Sequence, residues 1–91
     1  MFHVLKSTYL QPPDVINQTR PAHLEWLEGE VAAGRILLAG RVEDESGAVL
    51  LTGDISVADA EDIVGRDPYT AAGVATYERT SFNGAFRAPG L

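Results

Sequence analysis

His23 and Asp67 are the residues of this chain best suited to proton chemistry. The first lies in Arg20-Pro21-Ala22-His23-Leu24-Glu25-Trp26-Leu27 and the second in Asp67-Pro68-Tyr69. A neutral imidazole held at one nitrogen by a carboxylate offers the other nitrogen as a general base. The carboxylate fixes the tautomer and stabilises the cation that forms. Such assistance is typically worth about 10²–10⁴-fold in rate. Pro21, whose missing N–H costs nothing near a helix start, puts His23 in the first turn of a predicted helix. There the macrodipole disfavours imidazolium and keeps the ring able to accept a proton. Arg41 carries a planar fork that can hold a carboxylate or phenolate, or pair with Glu43 or Asp44 instead. Tyr69 offers either a packed ring with its hydroxyl at a rim or a hydrogen bond to substrate. Each member of the pair also has a plainer role. His23 can be a surface or capping residue, and Asp67 can shape its own turn before Pro68, a role compatible with catalysis.

Other chemistries lack their residues. There is no cysteine, so thiolate catalysis, disulfides and thiolate metal sites are out. Two histidines without a His-Glu-x-x-His pattern give no expected metal site. Glu43-Asp44-Glu45 lacks the Asp-x-Asp-x-Asp-Gly frame of a calcium loop and reads as a solvated hairpin tip. No Gly-x-Gly-x-x-Gly loop is present to cradle phosphates, so no cofactor is expected. Seven Lys and Arg among thirteen acids, for a net charge of −6, form no basic stripe, which disfavours nucleic acid. The apolar stretches Ile36 to Ala39 and Ala48 to Leu51 are too short to span a bilayer. Met1 to Leu10 alternates rather than forming an apolar leader, so a cytoplasmic protein is expected.

The elements that must position these groups follow from pattern. Phe2 to Leu10 alternates as a strand, and Gln11-Pro12-Pro13-Asp14 stops it. Leu24, Leu27 and Val31 recur at helical spacing, predicting a helix from about Pro21 to Ala33 with Gly34 as its stop. Arg35 to Val42 and Ala48 to Ile55 read as a hairpin. Ser56 with Asp59 resembles a capping box and opens a helix from about Val57 to Val64 that Gly65 ends. Val74 to Thr80 reads as the last strand. Residues 1–80 thus form one domain, and residues 81–91 a C-terminal tail. His3 is expected to face solvent or a dimer seam, and Trp26 to pack between helix and loop.

Strand, helix, strand, strand, helix, strand describes an α+β, ferredoxin-like βαββαβ fold with one antiparallel sheet and both helices on one face. In this winding order the start of the first helix, the hairpin beside Arg41 and the exit of the second helix all lie at one end. His23, Arg41 and Asp67 converge there. The uncovered sheet face carries part of the apolar runs of both hairpin strands, which predicts a sheet-on-sheet homodimer.

The residues at that end resemble the YciI-like (YCII-related) family of small dimeric α+β barrel proteins. The matching segments are Arg20-Pro21-Ala22-His23-Leu24 with Leu27, then Gly34-Arg35-Ile36-Leu37-Leu38-Ala39-Gly40, then Asp67-Pro68-Tyr69 with Ala72-Gly73-Val74. The resemblance implies a dimeric α+β barrel of the muconolactone isomerase type, with His23 and Asp67 as the family's active-site pair. One member type is a dehydrochlorinase of chlorinated hydroxyquinols, which implies proton-transfer lyase chemistry. The chain departs from its family where Ala-Gly-Pro is usual: Arg41 follows Gly40, and the next loop is short.

Two functions follow as expectations. One is a cofactor-independent lyase or isomerase acting on a hydroxylated aromatic or lactone-type small molecule. Its catalytic residues would be His23 and Asp67, and Arg41 and Tyr69 would bind substrate. The other is a non-catalytic dimeric module that binds a metabolite or accompanies a larger enzyme. A concave pocket with the pair in hydrogen-bond reach favours the first; a flat surface with Asp67 turned into its own loop favours the second.

Overall fold

The structure, a computed structural model, describes residues 1–91. Strand β1, Phe2–Tyr9, alternates from His3 onward: His3, Leu5 and Ser7 are buried, while Lys6 and Thr8 are exposed. Pro12 then takes an extended conformation and caps helix α1, Pro13–Ala32, whose first residue is itself a proline. The helix therefore begins eight residues before the expected Pro21. The prolines that stop the strand open the helix directly, and Val15 to Gln18 lie in its first turns.

Pro21 consequently lies inside the helix, where it removes the bond to the Asn17 carbonyl. Asn17 and Pro21 are both exposed, so water can take up that carbonyl. The buried residues of α1 are Ile16, His23 and Glu30, at a spacing of seven that places them along one stripe. The expected apolar stripe is only partly buried: Leu24 is 39% and Val31 46% exposed. Two polar side chains take the inward positions because each finds partners there.

Gly34, at φ 75°, turns the chain out of α1 in the left-handed conformation that glycine tolerates. Strands β2, Ile36–Arg41, and β3, Ala48–Thr52, form the hairpin, with a bulge between Ile36 and Leu38. Gly47 is fixed by close approach, since a Cβ there would lie 1.8 Å from the Ser7 carbonyl oxygen. Helix α2, Val57–Arg66, is capped by the Ser56 hydroxyl, which accepts from the Asp59 amide at 3.0 Å. It runs through Gly65, one turn's fraction beyond the expected end. Helix α3, Pro68–Ala71, follows at once, and strand β4, Ala75–Phe82, pairs with β1 along its length. Ser81 and Phe82 thus belong to the sheet rather than to a tail.

The sheet order is β2-β3-β1-β4, antiparallel throughout, which is the ferredoxin-like α+β arrangement. Leu5, Ile36, Ala48, Leu50 and Ile63 form the main core between sheet and helices. A smaller cluster of Ile16, Tyr69, Val74 and Ala75 supports the end where α1 begins. On the other sheet face no helix covers Val4, Leu38, Val49 and Leu51, and Leu38 is 67% exposed. No helix is long and apolar enough to cross a membrane.

His3 corrects another expectation. Its odd position on β1 turns it toward the helices, and it is fully buried. Its Nε2 donates to the Ile55 carbonyl at 2.8 Å and its Nδ1 lies 2.7 Å from the Ser81 hydroxyl. Burial is tolerated because both ring nitrogens are satisfied.

Candidate active site

Pro68 forces Asp67 into an extended conformation, φ −63° and ψ 123°, at the junction of α2 and α3. That geometry turns the carboxylate back over the first turn of α3, where Oδ1 accepts from the Tyr69 amide at 3.0 Å. The same Oδ1 lies 2.7 Å from Nδ1 of His23, and Oδ2 accepts from the Tyr77 hydroxyl at 2.6 Å. Asp67 is fully buried with three donors around it, so the turn-shaping role and the bond to His23 coexist in one carboxylate.

His23 sits about three turns inside α1, and not in its first turn. The macrodipole acts mainly over a terminal turn, so the argument from the helix start fails. What holds the ring is packing. It is 7% exposed, stacks on Tyr69 at 3.9 Å between centroids and 8° between planes, and tilts against Trp26 at 5.5 Å. An ionised carboxylate only accepts, so the bond to Asp67 puts the proton on Nδ1 of the neutral ring. Nε2 then carries the lone pair. It has no hydrogen-bond partner in the protein and is not sealed from solvent.

His23 opens onto a cleft of about 220 Å³ between α1 and the β2–β3 hairpin. Leu24, Leu27 and Leu50 give it an apolar wall, and Tyr9, Arg20, Arg41 and Tyr69 give it a polar rim. No carboxylate lines it. Arg41 meets neither Glu43 nor Asp44; its nearest carboxylate is Glu45, at a loose 3.8 Å on the surface. Tyr69 is buried, with its hydroxyl free of any protein hydrogen bond. Burial, with a smaller contribution from Tyr9, raises the Tyr69 hydroxyl above its ordinary value, so it stays a neutral donor. Burial and the bond to Asp67 push the Tyr77 hydroxyl up in the same way. No group of three or more His, Asp or Glu side chains gathers as metal ligands would.

The structure therefore brings His23, Asp67, Arg41 and Tyr69 to one end of the sandwich. Sequence reasoning missed Tyr77 as the third ligand of the carboxylate. The signal was parity: Tyr77 pairs with Ser7 in the sheet, and Ser7 is on the helix-facing side. It also missed two lining residues, Arg20, whose place depends on where α1 begins, and Tyr9, at the end of β1.

The YCII-related domain profile matches residues 1–83 of this chain. A stretch of 24 residues, 26% of the chain, is 71% identical to the whole recorded sequence of a 12 kDa protein of Mycolicibacterium smegmatis. Among solved structures, the fold is similar to the 5-chloro-2-hydroxyhydroquinone dehydrochlorinase of Burkholderia phenoliruptrix AC1100, in complex with 2,5-dihydroxybenzoquinone. The TM-score is 0.74 at 22% identity, over 91% of this chain and 94% of the other, a likeness of fold.

Proposed function

This chain belongs to the YCII-related domain family, and on that footing we propose that it is a small-molecule enzyme in which His23 and Asp67 move a proton. The observation that carries the reading is the unpartnered Nε2 of a buried histidine, held at Nδ1 by Asp67 and facing a cleft. Nε2 takes a proton from a hydroxylated ring or lactone-type substrate. The electron pair left behind moves into the substrate, where it expels a leaving group or shifts a double bond. Asp67 stabilises the imidazolium, and Arg41 with the Tyr69 hydroxyl steadies the developing oxyanion. In elimination the leaving group departs as an anion and His23 then releases the proton to solvent; in isomerisation His23 returns it to another atom of the substrate. No step requires a cofactor. The dehydrochlorinase named above lends support for lyase chemistry on hydroxylated rings.

The non-catalytic alternative called for a flat surface and an Asp67 bound only to its own loop. A concave cleft and a carboxylate shared between loop and imidazole favour the enzyme. The protein acts as a cytoplasmic homodimer, two copies packing sheet on sheet through Val4, Leu38, Val49 and Leu51. Leu51→Glu should shift it to a monomer in analytical ultracentrifugation, and an unchanged mass would refute that packing.

The test of function is turnover of a panel of chlorinated hydroquinones, hydroxylated aromatics and lactones, followed by absorbance and by deuterium uptake from solvent. A substrate consumed by the native protein and left intact by His23→Asn supports the reading. Equal rates for both proteins would remove His23 as the base.

A further inference from the structure

Seven cations serve a chain of net charge −6, and four of its six arginines are spoken for. Arg35, Arg66, Arg79 and Arg87 each have a carboxylate oxygen within 3.4 Å. The two exceptions are Arg20, which has no carboxylate within salt-bridge reach, and Arg41, whose Glu45 contact is 3.8 Å. Both line the cleft onto which His23 opens. An acidic protein has thirteen carboxylates to offer its arginines. Both guanidiniums reach the rim with water as their partner, so an incoming anion meets two cations with no close carboxylate competing for them. Their charges also reach the Tyr69 hydroxyl, where they partly offset the effect of burial.

We propose that Arg20 and Arg41 together form an anion-binding clamp at the mouth of the cleft, and that the substrate is a single-ring compound carrying an anionic oxygen pair, a carboxylate or an ionised ring enol. This rests on the proposed reaction and specifies what that reaction acts on. Size argues for one ring: a cavity of about 150 Å³ accommodates benzene, and this cleft, at about 220 Å³, adds room for a few substituents. The leucine wall takes the ring face, and the two planar forks take the charge, each able to donate two parallel hydrogen bonds. Arg20 reaches the substrate from α1 and Arg41 from the end of β2, where it exchanges the weak Glu45 contact for a stronger one.

The test is calorimetric titration of the native protein, Arg20→Gln and Arg41→Gln with three probes. These are 2,5-dihydroxybenzoate for the carboxylate, 2,5-dihydroxybenzoquinone for the ionised enol, and methyl 2,5-dihydroxybenzoate as the neutral control. Arg20→Lys, which keeps the charge and loses the fork, guards against a glutamine variant that folds poorly. At least one anion should bind tighter than the ester by about tenfold, and either glutamine variant should erase that margin while leaving the ester unchanged. Dependence of one anion alone identifies the chemical source of the charge. Equal binding of anions and ester, indifference to both arginines, or no binding of either anion at millimolar concentration would overturn the clamp. The clamp and the reaction fail separately. Arginine-dependent binding without turnover of any substrate leaves the clamp and removes the enzyme. Turnover of a neutral substrate that is lost in His23→Asn and unchanged in Arg20→Gln does the opposite.

Discussion

The chain has two histidines, both buried and at opposite ends of the same sandwich, and they differ in one respect. His3 uses both ring nitrogens on protein partners, a backbone carbonyl and a serine hydroxyl. His23 uses one, on Asp67, and turns the other to a cleft. The carbonyl of Ile55 can only accept, so the neutral His3 ring carries its proton on Nε2; Asp67 puts the His23 proton on Nδ1. Two buried carboxylates differ in another way, in the charge of their partners. Glu30 is clamped between Arg35 at 2.6 Å and Arg66 at 2.8 Å, whereas Asp67 has neutral donors and an imidazole. Saturated groups hold the fold together. A group with one valence left over is available for chemistry.

The largest test of that difference is His23→Asn, whose amide can still donate to Asp67 but offers no base. Turnover should fall by about 10²–10⁴-fold with the fold intact by circular dichroism. His3→Leu should do the reverse. It leaves the Ile55 carbonyl and Ser81 without their partner, costing about 2–4 kcal/mol in urea unfolding, while the folded fraction keeps native turnover. If turnover vanished there too, saturation would not distinguish the two rings.

Glu30→Gln sharpens the comparison of carboxylates. Burial alone would raise the Glu30 carboxyl, but Arg35 and Arg66 outweigh it and hold it below its ordinary value of 4.5. A depressed carboxyl stabilises the fold fully above that value, and the contribution is lost as pH falls through the lower folded value. Glu30→Gln should therefore cost about 1–3 kcal/mol at neutral pH, with the gap from native closing below about pH 4.5. A gap independent of pH would mean that packing, not charge, makes Glu30 matter. Tyr77→Phe has the smallest expected effect. It removes one of three donors to Asp67, for about 1 kcal/mol of stability and a drop in turnover of less than about tenfold. A loss as large as that of His23→Asn would make Tyr77 a proton carrier in its own right.

The order and type of the four strands and the two longer helices were legible because alternation, glycine stops and the Ser56 cap each act locally; the single turn of α3 after Asp67 was not. Nor was the start of α1. Pro12-Pro13 ends a strand and opens a helix with the same chemistry, and Pro21 gave a second, equally plausible start. Only tertiary burial of Ile16 decides between them. Proximity of His23 and Asp67 survived that error, since shifting the helix start leaves the winding order unchanged. What the error hid was the stacking on Tyr69, which holds the ring where a helix dipole was expected to act. The burial of His3 and Glu30 was hidden for a related reason. A polar residue at an inward position looks misplaced until its partners, distant in sequence, are in view.

With only two histidines in the chain, long-range proton–nitrogen NMR of the labelled protein reads both tautomers in one spectrum. At a pH where both rings are neutral, His23 should carry its proton on Nδ1 and His3 on Nε2. A His23 ring protonated at Nε2, or one averaging between the two forms, would contradict the claim that Asp67 holds it ready as a base.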